Sequence, residues 1–232
     1  MENLPGGIQM EVPDGCFPLT TDSMVLAYFA SAAGRRQILD LGSGCAALGL
    51  LLLSRNPQCH VTGVEMDSIA HEAAMQNISR NNLSSSLESI CADLRRVPEL
   101  FSPGQFDCCI SNPPYFSGGP AAGLTAARRE DCCTLHDLMR CAAWAVKFGG
   151  DFFLVHRPER LGEIISQGAA FHMEAKRLCL LHHTQGGAVS LVLLQLRKGA
   201  KPGLKIEELA LHHGDGTVTD DFRRIYHITE DT

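Results

Sequence analysis

The stretch Asp40-Leu41-Gly42-Ser43-Gly44 constrains this chain most, because of what stands on either side of it. Ahead of it runs an apolar segment, RQILDL (36–41), and behind it a longer one from Ala46 to Ser54. A short unbroken apolar run reads as a strand buried on both faces, and a longer one after glycines reads as a helix. Glycines between the two permit a tight turn and a close approach to the backbone, where the first N–H groups of the helix are free. A chain built on this strand–turn–helix unit belongs to the α/β class.

The unit recurs. HVTGVE (60–65) reads as a second strand, followed by a helix capped at Asp67 or Ser68 that runs to about Asn81. Residues 87–92, 106–111 and 151–156 read as the third to fifth strands, and 177–182 and 189–196 as the last two. Thr134 with Asp137 has capping-box spacing, and Leu135, Leu138, Met139, Ala142 and Val146 make an apolar face that ends near Lys147 and Gly149. Ahead of the glycine loop, an extended IQMEV meets the turn Pro13-Asp14-Gly15, and Thr21 or Asp22 can cap a helix ending near Gly34. The expectation is one domain over residues 1–232 with a mostly parallel seven-stranded sheet and helices on both faces. Residues 1–34 would form a hairpin and helix extension, and 206–232 an acidic tail closing in a short helix around Thr219 to Tyr226.

Composition narrows the class further. Hydrophobic residues make up 45% of 232 and charged ones 20%, enough for a sizeable core. No apolar run reaches the roughly 18–20 residues that span a bilayer, and MENLPGGIQMEVPDG lacks a basic stretch followed by an apolar one, so the expected location is the cytoplasm, with no membrane partner. The ten cysteines include no CxxC pair; most sit in apolar segments, where the thiol acts as a small hydrophobe, and no metal site is expected. Net charge is −6, but residues 116–205 carry +5 between flanks of −6 and −5. That basic segment is open to two readings, a phosphate-facing surface or a merely solvated one.

Three acids close three consecutive strands: Asp40, Glu65 and Asp93. Open α/β sheets bind ligands at the carboxyl ends of their strands. A carboxylate at position 40 can accept from the ammonium of an amino acid, one at 65 can take both hydroxyls of a ribose, and one at 93 can receive an adenine amino group. Gly42-x-Gly44-x-x-Ala47 with Glu65 downstream also satisfies a relaxed dinucleotide fingerprint, so these residues leave a nicotinamide cofactor open. Asn112-Pro113-Pro114-Tyr115 at the end of the fourth strand points elsewhere. An exocyclic amino group is a poor nucleophile because its lone pair is delocalised. Two acceptors, the Asn112 side-chain oxygen and the Pro113 carbonyl, can hold its hydrogens and turn the lone pair outward; the prolines fix the carbonyl direction, and Tyr115 offers a stacking face.

DLGSG, GVE, AD and NPPY in this order and spacing resemble class I S-adenosylmethionine-dependent methyltransferases of the N6-adenine and N5-glutamine type. FPLTTDSMVLA, Arg128-Arg129, HRPERL, Glu174-Ala175-Lys176-Arg177 and the closing 219–226 stretch are similar to the tRNA N6-adenine methyltransferase family, so the likeness covers nearly the whole chain. The resemblance implies a Rossmann-like methyltransferase fold and S-adenosylmethionine as cofactor. Asp40, Gly42, Gly44, Glu65, Met66, Asp93, Leu94 and Asn112 are then the cofactor contacts, with Thr21 and Asp22 close by. It implies tRNA as partner, with Asn112, Pro113, Pro114 and Tyr115 at the reacting amine. The basic segment offers Arg128, Arg129, Lys176, Arg177, Lys198 and Lys201 as phosphate contacts. Glutamine methyltransferases usually carry a separate N-terminal helical domain, for which there is no room before Arg36. One departure stands out: Ala46 occupies a position where the family usually keeps glycine, and its methyl is expected to crowd the cofactor loop.

Overall fold

The computed structural model describes residues 1–30, 36–113 and 133–227. Eight strands form one sheet: β3 (Gln37–Leu41), β4 (His60–Glu65), β5 (Leu87–Cys91), β6 (Phe106–Ser111), β7 (Val146–His156), β8 (Met173–Thr184), β9 (Val189–Lys198) and β10 (Lys205–His212). Two short strands, β1 (Glu2–Asn3) and β2 (Gln9–Met10), make a separate antiparallel pair. The sheet order is β5-β4-β3-β6-β7-β9-β8-β10. β3 to β7 are mutually parallel, β9 runs antiparallel to both β7 and β8, and β10 returns parallel to β8.

The helices are α1 (Thr21–Phe29), α2 (Ala47–Arg55), α3 (Ser68–Arg80), α4 (Val97–Leu100), α5 (Leu135–Ala145), α6 (Leu161–Ala170) and α7 (Asp220–Tyr226). They cover both faces, and the strands' side chains sort between them with period two. On β3, Ile38 joins the core under α1, α2, α3 and α7, while Leu39 and Leu41 join the one under α4, α5 and α6. On β6, Cys108 and Ile110 face the first core and Cys109 the second; Phe106 also joins the second, across an irregularity in register between Phe106 and Cys108. Cys45, Cys59, Cys108, Cys109, Cys141 and Cys179 are buried free thiols, packed as small apolar groups.

The capping box of α5 is present, with Thr134 Oγ1 accepting from Asp137 N. Differences from expectation lie at the ends of elements. The expected helix reaching Lys147 stops at Ala145, because Val146 turns extended and opens β7 five residues early. The larger difference is β10, an eighth strand inside the segment expected to be an acidic tail. Its acidic pair hid it: Glu207 is held by Arg177 (2.5 Å) and Lys205 (3.3 Å), while Leu209 and Leu211 pack inward. Among the described residues no helix is long and apolar enough to cross a membrane, and no group of three or more His, Cys, Asp or Glu side chains could hold a metal ion.

Candidate active site

Strand direction decides where polar chemistry collects. β3 is flanked by β4 on one side and β6 on the other, the point where the strand order reverses; open α/β sheets bind ligands at the carboxyl ends of strands at such a point. The glycine loop, Met66, Asp93 and Asn112 all leave strands on that edge. Gly42 N and Ser43 N both donate to Val64 O (2.9 and 3.2 Å), which seats the loop over β4. Gly42 (φ 78°) and Gly44 (φ 54°) adopt left-handed backbone, and a Cβ on either would meet nothing within 4 Å, so open space lies above the loop. Gly63 on β4 is needed for contact, since a Cβ there would come within 2.6 Å of Ser43 Oγ.

Glu65 braces the loop. Its Oε2 accepts from Gly44 N and its Oε1 from Asp67 N, both at 2.8 Å. A carboxylate has about four acceptor sites, so two backbone bonds still leave capacity for hydroxyl donors. Asp40 is the opposite case. It is 0% exposed, and among the described residues neither carboxylate oxygen has a hydrogen-bond partner. Burial, and secondarily the charge of Glu65, pushes its carboxyl up to about 8. A buried, partnerless carboxyl beneath an open glycine loop is suited to a cationic donor.

Asp93 is engaged within its own turn. Its Oδ1 accepts from Arg95 N (2.8 Å), and the Arg95 guanidinium, closing on both oxygens, holds the carboxyl below its usual range. Met66 is 49% exposed at the mouth of the site, and Leu94 is half-buried. Asn112 follows β6 directly, and Ser111 Oγ ties that strand end to Leu41 O (2.7 Å). Asn112 Nδ2 donates to Ser23 Oγ on α1 (3.0 Å), which anchors the amide. Pro113 is buried beside it. Asp22, next to Ser23, has its carboxyl raised by burial, with Arg157 opposing; Thr21 Oγ1 receives the Tyr226 hydroxyl (3.2 Å).

Ser23 is the residue that sequence reading missed. Its one signal was its place next to Thr21-Asp22, since its partner lies 89 positions away. Pro114, Tyr115, Arg128 and Arg129 lie outside the described residues. The other basic residues do not gather at the site. Lys176 Nζ donates to Lys201 O (2.9 Å), and Lys198 Nζ to Ala143 O and Val146 O (2.6 and 2.9 Å), towards the amino ends of the parallel strands. Arg177 is taken up by Glu207 and the Phe29 ring. Ala46 stands where the glycine loop enters α2. It is 2% exposed and packs into the core. The cost is in the backbone: Ala46 holds φ 70°, ψ 24°, a left-handed conformation that costs a non-glycine residue roughly 1–2 kcal/mol.

Residues 20–165 match the methyltransferase small domain family. A Tolumonas auensis protein named tRNA1(Val) (adenine(37)-N6)-methyltransferase is 31% identical, over 87% of this chain and 85% of its own length. A Bacteroides thetaiotaomicron protein of the same name is 29% identical over 75% and 74%. Among solved structures, a predicted O-methyltransferase from Agrobacterium tumefaciens superposes with a TM-score of 0.74 at 24% identity, covering 89% of this chain and 96% of that one. That likeness speaks for the fold. The matched span holds the glycine loop, all three strand-end acids and Asn112, and the chain is a methyltransferase that belongs to the methyltransferase small domain family.

Proposed function

We propose that the protein methylates the exocyclic N6 of an adenine in tRNA, with S-adenosylmethionine as donor. The observation that carries this is Asn112, held by Ser23 at the end of β6, one strand from the partnerless Asp40. Both named relatives bear the same adenine-N6 activity in their names. The residues suit the cofactor: Asp40 supplies the missing acceptor for an ammonium, Glu65 has spare lone pairs for ribose hydroxyls, and the glycine loop leaves room for a ligand against its backbone.

Bound S-adenosylmethionine supplies an electrophilic methyl on a sulfonium. The chain's part is positioning. The Asn112 oxygen and the Pro113 carbonyl accept the two hydrogens of the target amine, which turns the nitrogen lone pair toward the methyl and stabilises the charge that develops on nitrogen. Asp93 would have to exchange its Arg95 guanidinium for an adenine amino group. Of the basic residues offered as phosphate contacts, Lys176 and Lys198 stand toward the far end of the sheet from Asn112, and Arg128 and Arg129 lie outside the described residues.

The test is direct. The protein is incubated with labelled S-adenosylmethionine and, separately, an unmodified tRNA pool and a glutamine-bearing protein substrate, followed by mass spectrometry of the digested products. N6-methyladenosine in the tRNA is the expected outcome. N5-methylglutamine without methylated adenine would move the activity to protein, and no binding of S-adenosylmethionine would sink the cofactor assignment.

A further inference from the structure

Asn77 on α3 is 0% exposed and uses every hydrogen-bonding position of its amide. Oδ1 accepts from Glu11 N (2.8 Å) and Arg80 Nη1 (3.1 Å); Nδ2 donates to Glu11 O (2.9 Å) and to Cys45 O (3.1 Å). One helical turn on, Asn81 repeats the pattern for Gln9, accepting from its N (2.9 Å) and donating to its O (2.7 Å). Residues four apart on a helix rise about 6 Å, and alternate residues of an extended chain advance about 6.6 Å. The near match lets α3 act as a strand partner for residues 9 and 11, made of side-chain amides.

Asn77, unlike Asn81, also reaches the glycine loop. Its target, Cys45 O, belongs to the peptide that leads into Ala46, the residue in left-handed backbone. A strained conformation of this kind persists where the surroundings over-determine it. The same loop presents Gly44 N to Glu65 and starts α2.

We propose that Asn77 is a positioning residue for the cofactor loop: its amide holds the Cys45–Ala46 peptide in its left-handed turn and joins the loop to the N-terminal segment, whereas Asn81 only anchors that segment. Its bearing on catalysis rests on the reading of the loop as the S-adenosylmethionine site.

Two readouts on the full chain test it, amide hydrogen exchange without ligand and S-adenosylmethionine kinetics. Asn77→Ala should speed exchange across residues 42–47 by about tenfold and raise KM for S-adenosylmethionine by a similar factor, with kcat held within about twofold. Asn81→Ala should loosen residues 8–11 but change loop exchange and KM by less than about twofold. Adding Ala46→Gly to Asn77→Ala should restore most of the affinity, because glycine takes positive φ unaided. Equal effects from the two asparagines, or no rescue by Ala46→Gly, would overturn the proposal. If Asn77→Ala does not fold, Asn77→Ser carries the same comparison. Faster loop exchange in a protein whose wild type binds no S-adenosylmethionine would support the positioning role and sink the cofactor reading instead.

Discussion

Asp40 and Asp151 are both buried carboxylates on central strands, and they live under opposite rules. Asp151, 3% exposed on β7, is bonded by Gln195 (2.8 Å) and by the Arg197 guanidinium (2.8 and 3.1 Å) across β9. Asp40, on β3, has no partner on either oxygen among the described residues. The contrast extends to their surroundings. On the strands beyond β7, Glu207 is met by Arg177 and Lys205, and Lys198 caps the end of α5. At the carboxyl ends of the parallel strands, Ser43 Oγ is also buried and without a partner among the described residues. A buried polar group without a partner costs roughly 1–3 kcal/mol, more if charged. The satisfied carboxylates, Asp151 and Glu207, serve stability, whereas Asp40 is shaped for a partner the chain does not itself contain.

The comparison can be broken most forcefully at Asn112. Asn112→Ala should cut turnover by about 10²–10³, or roughly 2.7–4 kcal/mol, the scale of deleting one preorganised polar group. Cofactor affinity should shift by less than about tenfold. Single-turnover methyl transfer and equilibrium binding on one folded preparation separate the two, and a wild-type rate would remove Asn112 from the chemistry.

On the satisfied side, Arg197→Met leaves Asp151 with Gln195 as its remaining named partner. Unfolding in urea should then show a loss of about 2–3 kcal/mol, below the full cost of breaking a buried pair because Arg197 itself is part-exposed. S-adenosylmethionine affinity should not move. A stability loss near zero would mean that the Asp151 cluster is not what holds β7 to β9.

Glu65→Ala belongs to the ligand-facing half. Losing charge-assisted hydrogen bonds worth about 1.5–3 kcal/mol predicts a ten- to hundredfold weaker affinity. Because Glu65 also braces Gly44 N, calorimetry is paired with thermal unfolding, and unchanged affinity in a folded variant would exclude Glu65 from the site.

The mildest effect is a proton. Asp40 titrates near 8 in the free protein, above the unfolded carboxylate value of about 3.9. A raised carboxyl contributes stability below the unfolded value and loses it as pH climbs through that window to about 8. Asp40→Asn should therefore gain stability over wild type as pH rises from 5 to 8. At pH 7 a cationic ligand that needs the ionised form must displace the proton, so calorimetry in buffers of different ionisation enthalpy should register proton release. No proton exchange on binding would mean that Asp40 does not receive the ammonium.

Much of this molecule is local and could be read from the chain alone. The glycine turn between an apolar strand and an apolar helix, the acids at strand ends, the capping box of Thr134 and Asp137, and the thiols buried as apolar groups all depend on neighbours within one turn or on period-two burial. What pairing across the sheet and between layers supplies had no local signature. β10 looked like a charged tail because its Glu207 is neutralised by Arg177, 30 residues earlier. Ser23 orients Asn112 from 89 residues away, and Asn77 reaches back 66 residues to Glu11 and 32 to Cys45. Asp40 could be recognised as an acid at the end of a strand; only the packed sheet around it leaves that acid dry and without a partner. Periodicity and capping are settled by residues a few ångströms along the chain, whereas desolvation and partner choice depend on which distant segments the folded sheet brings against one another.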